Sequence, residues 1–417
     1  MQQVRGFRSI FVFIWPLFLF FVSCEYEGPD ALWNPNYDVG TTPEITSVAP
    51  EDMAMAGISQ IVIHGQNFSA DAGQNRVYFG NVQVDVKQAS NDQLTVYRPN
   101  LAADDFAIKV AVEGSVLFAE FSPYSVESIG GLYAEAKTLG KANALAVDAD
   151  GNLYCHVDKK DLYQITPLGD FELVIDNTSP RSVDDMKVGP DGYIYFARDR
   201  SYIQRALLEG EGVDRDFEDF GDGIRGNLKC FDFDVNLNIF AGGTKTGLYI
   251  IKPDASAENL GVYDDYEMKA LRVFDNAVYV AAVYMGDDAT KPAAGVWKTD
   301  IVSTDGQVGD ITLVLDWSDT GEHAESVITD INFDADGVLY IATDSGPDNL
   351  LDPIVMVSPD GTVDTFYKGG LLEGIIYDLV WGNDAGLYYL RDIGDVNLYE
   401  IHRLKMAADG APEYGRQ

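Results

Sequence analysis

The chain has 417 residues, 46% of them hydrophobic, and carries a formal net charge of −38 from 67 acidic and 29 basic residues. This length and apolar content suffice for more than one packed domain. The acidic excess argues against nucleic acid and anionic lipid as partners, because neutralising their phosphates requires Lys and Arg. The acids are spread along the whole chain, so we assign most of them to solubility.

The first 24 residues predict a secretory signal. Arg5 and Arg8 precede an apolar run over residues 10–22, and Ser23 and Cys24 follow it. The run is shorter than the about 20 apolar residues that a permanent membrane helix needs. The alternative is an ordinary signal or anchor helix with an incidental cysteine.

The stretch "FVSC" resembles the bacterial lipobox, which implies that Cys24 is lipidated and becomes the first residue of the mature chain. Several acyl chains on one residue would give stable anchoring. The following "EYEGPD" resembles the acidic export tag of surface lipoproteins in the Bacteroidota. The resemblance implies an outer-membrane protein at the cell surface, with the periplasmic face as the alternative. Residues 25–42 are rich in Pro, Gly, Asn and Asp and predict a flexible tether.

Residues 43–127 predict an all-β, immunoglobulin-like sandwich, because short apolar strands alternate with turns at regular spacing. Within this segment "PEITSVAP", "VIHGQNF" and "VYFGN" resemble the IPT/TIG family of immunoglobulin-like domains. In that family the domain is a spacer or a binding module, and no catalytic residue carries over. We expect a spacer.

Residues 131–405 contain six copies of a repeat, each with an apolar strand, a tight polar turn and a second strand that contains an aromatic residue. The aromatic residues are Tyr154, Tyr195, Phe240, Tyr279, Tyr340 and Tyr388. Their spacing predicts four-stranded blades, and hence a six-bladed β-propeller. We expect "GGLYAEAKTL" (131–140) to close the ring by completing the sixth blade, which removes exposed sheet edges. Residues 406–417 form a polar tail.

The turns "DGNLY", "DGYIY" and "DGVLY" resemble the NHL family and its gluconolactonase-like relatives. The resemblance implies the propeller fold and says little about activity. For Asp150, Asp191 and Asp336 we prefer a role in turn geometry to calcium ligation, because Asp-Gly supplies the positive φ of a two-stranded connection.

The face of the propeller where the innermost strands begin, called the top face, is the predicted site. The turns at the opposite end are short, which predicts a plain bottom face, whereas long connections reach the top, and binding tends to reside in such loops. Counting back ten residues from each aromatic places Asp185, Asp330 and Asp378 at the central mouth. These carboxylates are suited to Ca²⁺ or to sugar hydroxyls. The alternative is a structural role, in which each Asp carboxylate accepts a hydrogen bond from a backbone N–H group of the neighbouring blade. Four residues of the top links are predicted to complete a polar pocket, with the tryptophan as its aromatic platform: Arg181, Arg225, Trp317 and His323.

The residues favour a non-catalytic protein over an enzyme and leave the question open. His156 and His402 fall on outer strands, and there is no nucleophile elbow, phosphate-binding loop or zinc spacing. The gluconolactonase-like resemblance implies a metal held by an acid with Asn partners, and no Asn occupies the first-strand positions. Cys155 and Cys230 are compatible with a disulfide or with two buried thiols.

The sequence therefore predicts a lipid-anchored outer-membrane protein that binds an extracellular ligand, a glycan, through the top face during nutrient uptake, together with outer-membrane uptake proteins. One alternative is a metal-dependent hydrolase or lactonase that uses the three carboxylates, with Ca²⁺ as its cofactor. The other is a protein–protein assembly module of an outer-membrane complex.

Overall fold

The computed structural model describes residues 40–129, 131–136, 140–157, 161–178, 182–221, 223–345, 351–368, 372, 374–392 and 399–414. The predicted signal, the proposed lipidation site Cys24 and Arg181 lie outside these ranges. No helix in the described ranges is long and apolar enough to cross a membrane.

The first part is a sandwich of two β-sheets with strand orders β1-β3-β7-β6 and β2-β9-β8-β4-β5. Its apolar core consists of alternating inward side chains of both sheets, such as Ile61, Ile63, Val77 and Phe79. The strands are β1 (Glu44–Ala49), β2 (Met53–Ala54), β3 (Gln60–Gln66), β4 (Asn75–Phe79), β5 (Val82–Val84), β6 (Val86–Ala89), β7 (Gln93–Tyr97), β8 (Ala103–Val112) and β9 (Ala119–Val126). A 3₁₀ turn, Ala72–Gln74, precedes β4.

The second part is a β-propeller of six four-stranded antiparallel sheets. The first three blades are β11 (Ala142–Val147), β12 (Leu153–Val157), β13 (Asp161–Ile165), β14 (Phe171–Ile175); β15 (Asp185–Val188), β16 (Tyr193–Ala197), β17 (Ile203–Leu207), β18 (Glu218–Phe220); and β19 (Asn227–Phe233), β20 (Ile239–Thr244), β21 (Tyr249–Ile251), β22 (Ala257–Asn259). The fourth and fifth are β23 (Tyr266–Phe274), β24 (Ala277–Tyr284), β25 (Ala294–Asp300), β26 (Thr312–Asp316); and β27 (Ile328–Phe333), β28 (Leu339–Thr343), β29 (Ile354–Val357), β30 (Val363–Thr365). Two 3₁₀ segments, Pro190–Gly192 and Trp317–Glu325, lie in its connections.

The sixth blade closes the ring with a strand from the other end of the propeller. It contains β31 (Ile375–Trp381), β32 (Gly386–Asp392) and β33 (Tyr399–Lys405), and its outermost strand is β10 (Gly131–Glu135). β10 pairs antiparallel with β33, with Gly131 opposite Arg403 and Glu135 opposite Glu400. This confirms the closure that the unpartnered "GGLYAEAKTL" segment predicted.

The tight turns at the bottom face are built by an aspartate at the end of the first strand. Asp148 Oδ1 accepts from the backbone N–H groups of Asp150 and Asn152, and Asp234 and Asp334 act in the same way in their blades. Gly151 adopts a φ of 82°, a conformation that glycine tolerates without strain. The carboxylates that hold these turns are thus Asp148, Asp234 and Asp334, whereas the predicted Asp150 and Asp336 contribute backbone N–H groups, and Asp191 itself adopts a positive φ of 58°.

The sandwich is fastened to the outer edges of the fifth and sixth blades. The Arg98 guanidinium donates to the carbonyl oxygens of Met55 and Ala56 and lies over the Tyr367 ring. The Tyr367 hydroxyl in turn donates to the Ala56 carbonyl. Lys87 pairs with Asp364 across the same contact. These bonds fix the position of the sandwich beside the propeller.

Candidate functional site

A β-bulge recurs near the top of the innermost strand of the blades. In the first blade Ala142 and Ala144 pair with consecutive residues of the next strand, so Asn143 is the extra residue. The third to sixth blades repeat this shift. In the second blade two consecutive residues face Ala197: Asp185 is paired with it, and the N–H of Asp184 donates to its carbonyl oxygen. Asp184 is therefore the extra residue of this blade. Bulges redirect side chains and occur often beside functional sites.

The six bulge residues line one cavity of about 320 Å³ at the top mouth of the central channel. They are Asn143, Asp184, Lys229, Lys269, Thr329 and Tyr377, one from each blade. Lys141 and Ser182 also line the cavity. Because each bulge residue comes from a different rigid sheet, the mouth is a preorganised ring of polar side chains; this set is called the mouth ring below.

Three of the residues that line the mouth are lysines, which is unusual in so acidic a protein. The Lys269 ammonium pairs with Glu267 Oε1 at 2.7 Å. The Lys141 ammonium lies 5.1 Å from the centre of the Tyr377 ring. Lys229 is half-buried, and among the described residues its ammonium makes no hydrogen bond or ion pair. Its charge opposes the rise that burial causes in the pKa of Asp184 and adds to the lowering that Lys269 causes in the pKa of Glu267, but its N–H groups remain available to donate to an anionic group in the cavity.

The other members of the mouth ring supply hydrogen-bonding groups and one aromatic wall. Tyr377 is half-buried, and its hydroxyl reaches Asp392 Oδ2 at 3.4 Å. Thr329 donates its hydroxyl to Ile376 O at 2.5 Å, and Asp184 is exposed. The aromatic residue of the mouth is therefore Tyr377 and not the predicted Trp317.

The predicted carboxylates Asp185, Asp330 and Asp378 form the next layer down the channel. Each accepts a hydrogen bond from the innermost strand of the following blade: from Phe231 N at 2.8 Å, from Leu379 N at 2.8 Å and from Leu145 N at 2.6 Å, respectively. These bonds join consecutive blades around the axis. The geometry therefore supports a structural role for these three residues, in which each carboxylate holds the backbone of the neighbouring blade.

A lysine in the layer below compensates part of this charge. The Lys187 ammonium lies 3.7 Å from Asp185 Oδ1. Burial lowers the pKa of Lys187, but Asp185 and Glu413 more than offset this effect, so its pKa is raised and it stays charged. Burial raises the pKa of Asp330 to about 7, although the charge of Lys187 opposes this shift. The pKa of Asp378 is also raised, first by burial and then by the charge of Asp330.

This arrangement does not fit Ca²⁺. The ion needs six to eight oxygen ligands, whereas each carboxylate already accepts a backbone N–H, and an ammonium lies beside Asp185. No cluster of three or more acidic, His or Cys side chains within the described residues has metal-binding geometry.

The channel floor holds a buried arginine. Arg272 pairs with Asp232, and its Nε donates to Asn332 Oδ1 at 3.1 Å. Asp232 also accepts from Val273 N at 2.8 Å. The side chains of Arg272 and Asp232 are 2% and 0% exposed, so the buried Asp232 carboxylate depends on the arginine for charge compensation.

The C-terminal segment, predicted only as a polar tail, crosses the floor from below. Ala411 N donates to Phe333 O at 3.0 Å, and Arg272 Nη2 donates to Pro412 O at 3.3 Å. Glu413 places one carboxylate oxygen 3.5 Å from the Lys187 ammonium and the other 3.6 Å from Arg272 Nη2. The segment therefore covers the bottom of the channel, and the top cavity is the mouth of a pocket with a closed floor.

The expectation of a plain bottom face is wrong. A larger cavity of about 770 Å³ lies there between the third, fourth and fifth blades and the C-terminal segment. Phe233, Phe274 and Tyr279 line it with Val235 and Tyr414. Sequence reasoning missed this cavity because the path of the last residues has no periodic signal.

The link residues predicted for the site do not meet at the mouth. Trp317 and His323 are each 2% exposed within the 3₁₀ segment Trp317–Glu325, and the Trp317 indole donates to Ser326 O at 2.8 Å. The prediction of an exposed tryptophan platform is wrong, because this segment folds back onto the blade core. Arg225 is exposed but does not line the mouth cavity. Cys155 and Cys230 are free, buried thiols.

Sequence reasoning missed the mouth ring by one position. Counting back eleven residues from the repeat aromatic, or ten in the shorter fourth blade, gives all six members. The bulge that brings this position to the mouth has no signature in the alternation of apolar residues. The buried pair of Arg272 and Asp232, three positions after the mouth-ring residues Lys269 and Lys229 of their blades, was also missed.

The comparisons with known proteins agree with this fold. Residues 43–126 match the IPT/TIG domain family, so the sandwich is an IPT/TIG domain. The structure is similar to a protein of unknown function from Bacteroides thetaiotaomicron, with a TM-score of 0.51 and 12% identity over 89% of this chain and 99% of that chain. It is also similar to an auxiliary nutrient binding protein of the same organism, with a TM-score of 0.49 and 13% identity over 88% and 99%. At 12% identity the likeness to the first of these structures establishes the fold alone. No curated protein matches the sequence.

Proposed function

We propose that this protein captures an extracellular solute, a glycan or a fragment of one, at the top mouth of its propeller. The observation that carries the proposal is the mouth ring, in which six blades each contribute one bulge residue to the same cavity. A cavity of about 320 Å³ lies at the small end of the range for ligand pockets. Lysine, amide, hydroxyl and carboxylate groups around one tyrosine ring suit a ligand with many hydroxyl groups.

The larger bottom cavity is the competing site, and we favour the top for a chemical reason. Asp234 at the bottom uses its carboxylate to hold the turn through Asn236 N and Asn238 N. Lys229 at the top has no such internal task among the described residues. Polar groups without an internal role are the ones available to a ligand.

Two matched substitutions separate the cavities. Ser182 is exposed at the rim of the top cavity, and Val235 is 83% exposed at the rim of the bottom one. Ser182→Trp and Val235→Trp each place a large ring at one rim. Binding of a panel of soluble saccharides to the full chain, purified in detergent, is measured by calorimetry. We expect Ser182→Trp to abolish binding and Val235→Trp to leave it unchanged; the reverse result refutes the top site.

We also propose that the protein is an outer-membrane lipoprotein anchored through Cys24, with the IPT/TIG domain as a spacer below the propeller. The support is the sequence order of basic residues, apolar run and cysteine. Labelled fatty acid should be incorporated into the wild-type protein and not into Cys24→Ala, and protease added to intact cells should digest the propeller. Equal labelling of both proteins contradicts the anchor, and protection from protease places the protein on the periplasmic side.

A further inference from the structure

We infer that the ligand of the top mouth is acidic, a saccharide that carries a carboxylate or sulfate group, and that Lys229 binds this group. The inference rests on the proposed function and specifies its ligand class. It starts from the distribution of charge, since lysines converge at one cavity of a protein with 67 acidic residues.

The Lys229 ammonium is half-buried beside the cavity. Some half-buried cations of the described structure form direct ion pairs: Lys87 pairs with Asp364, Arg391 with Glu400, and Lys187 with Asp185. Lys229 lines the cavity, and within the described residues it has neither an ion pair nor a hydrogen bond. The charge of Lys229 opposes the rise that burial causes in the pKa of Asp184 and helps Lys269 to lower the pKa of Glu267, without forming an ion pair with either carboxylate, and an anionic ligand would supply a direct partner.

Most of the acids around the mouth already have partners within the protein. Glu267 is already bound by Lys269 at 2.7 Å. Asp185, Asp330 and Asp378 lie in the layer below, and each is held by a backbone N–H of the next blade. Asp184 is then the one carboxylate in the mouth ring, opposed by Lys141, Lys229 and Lys269. Counted with Lys141 at the rim and Glu267 beside Lys269, three ammonium groups face two carboxylates, which leaves one positive charge at the mouth.

The remaining groups of the mouth suit the rest of a sugar ring. Asp184 can accept from ligand hydroxyls, and Asn143 and Thr329 offer neutral polar groups. Tyr377 supplies the aromatic face, with Lys141 lying over one side of its ring. An acidic monosaccharide, or the end of an acidic chain, satisfies the lysines and these groups together, whereas a neutral sugar would leave Lys229 without a direct ion pair.

The test compares sugars that differ only at C6. Binding of D-galacturonate and D-galactose, and of D-glucuronate and D-glucose, is measured on the full chain, together with a sulfated monosaccharide and inorganic sulfate. We expect the acidic member of each pair to bind at least about tenfold more tightly, as a charged hydrogen bond contributes, and its affinity to fall as NaCl is added. Binding of inorganic sulfate alone would mean a simple anion site and would overturn the saccharide class.

Lys229→Gln should weaken binding of the acidic sugar about tenfold or more. Lys252→Gln is the matched control, because Lys252 is also half-buried, belongs to the same blade and lies in a bottom-face turn. It removes the same charge and should leave binding unchanged. Neutral sugars that bind as tightly as the acidic ones, with no effect of Lys229→Gln, would overturn the acidic ligand while the proposed top site survives. Failure of every saccharide to bind would overturn both.

Discussion

Replacing Arg272 by methionine tests whether the buried pair at the channel floor holds the blades together. The substitution keeps much of the side-chain volume but leaves the Asp232 carboxylate, which is 0% exposed, with only backbone donors. Breaking one partner of a buried ion pair costs about 3–5 kcal/mol. Unfolding entropy is about 2.1 cal/mol/K per residue, which gives roughly 0.6 kcal/mol/K for the roughly 280 residues from Gly131 to Tyr414. A loss of about 4 kcal/mol therefore lowers Tm by about 7 °C.

The assay is calorimetric melting of the wild type, Arg272→Met, and Arg272→Met combined with Asp232→Asn. Neutralising the orphaned carboxylate should restore part of the loss, because the cost comes from an uncompensated buried charge. Arg225→Met is the control, since Arg225 is exposed and should shift Tm by less than about 1 °C. An Arg272→Met protein that melts with the wild type, or a double variant less stable than the single one, would refute the reasoning.

Three further predictions concern the other buried groups. Cys155 and Cys230 are buried thiols whose pKa is raised by burial, so a thiol reagent should label them only after denaturation; rapid labelling of the folded protein contradicts this. The pKa of Asp330 is raised to about 7, chiefly by burial, so the folded state retains a proton that the unfolded state releases, and stability should fall as pH rises from about 4 to 7. Asp330→Asn should reduce the difference in Tm between pH 5 and pH 8, and an unchanged difference counts against the shift. Glu413→Gln removes a charge beside Lys187 and Arg272, and should lower the unfolding free energy by about 1–3 kcal/mol in urea titrations; an unaltered midpoint would mean that the C-terminal segment does not support the floor.

The sequence predicted the fold because both parts repeat a strong local signal. Alternating apolar residues and Asp-Gly turns define the blades, and the unpaired β10 segment, Gly131–Glu135, could be matched to the incomplete last blade. The predicted closure of the ring was confirmed because each blade contains four strands, so a blade with three strands and one unpaired strand elsewhere could be matched by counting.

The site was predicted only to the correct face and nearly the correct residue. Because of the bulge, the residue that faces the mouth is one position earlier than predicted: Thr329 instead of Asp330, and Lys229 instead of Cys230. A bulge depends on strand pairing, which a linear sequence pattern does not encode. Trp317 was misplaced for a related reason, since a link of nine 3₁₀ residues has no strand period to indicate which side chains fold inward.

The most direct test of the central claim is a crystal structure of the full chain with the tightest-binding saccharide of the panel. The account predicts density for the ligand inside the mouth ring, with its acidic group on the Lys229 ammonium and its ring beside Tyr377. Density in the bottom cavity near Tyr414, or on the IPT/TIG domain, with an empty top mouth would contradict it.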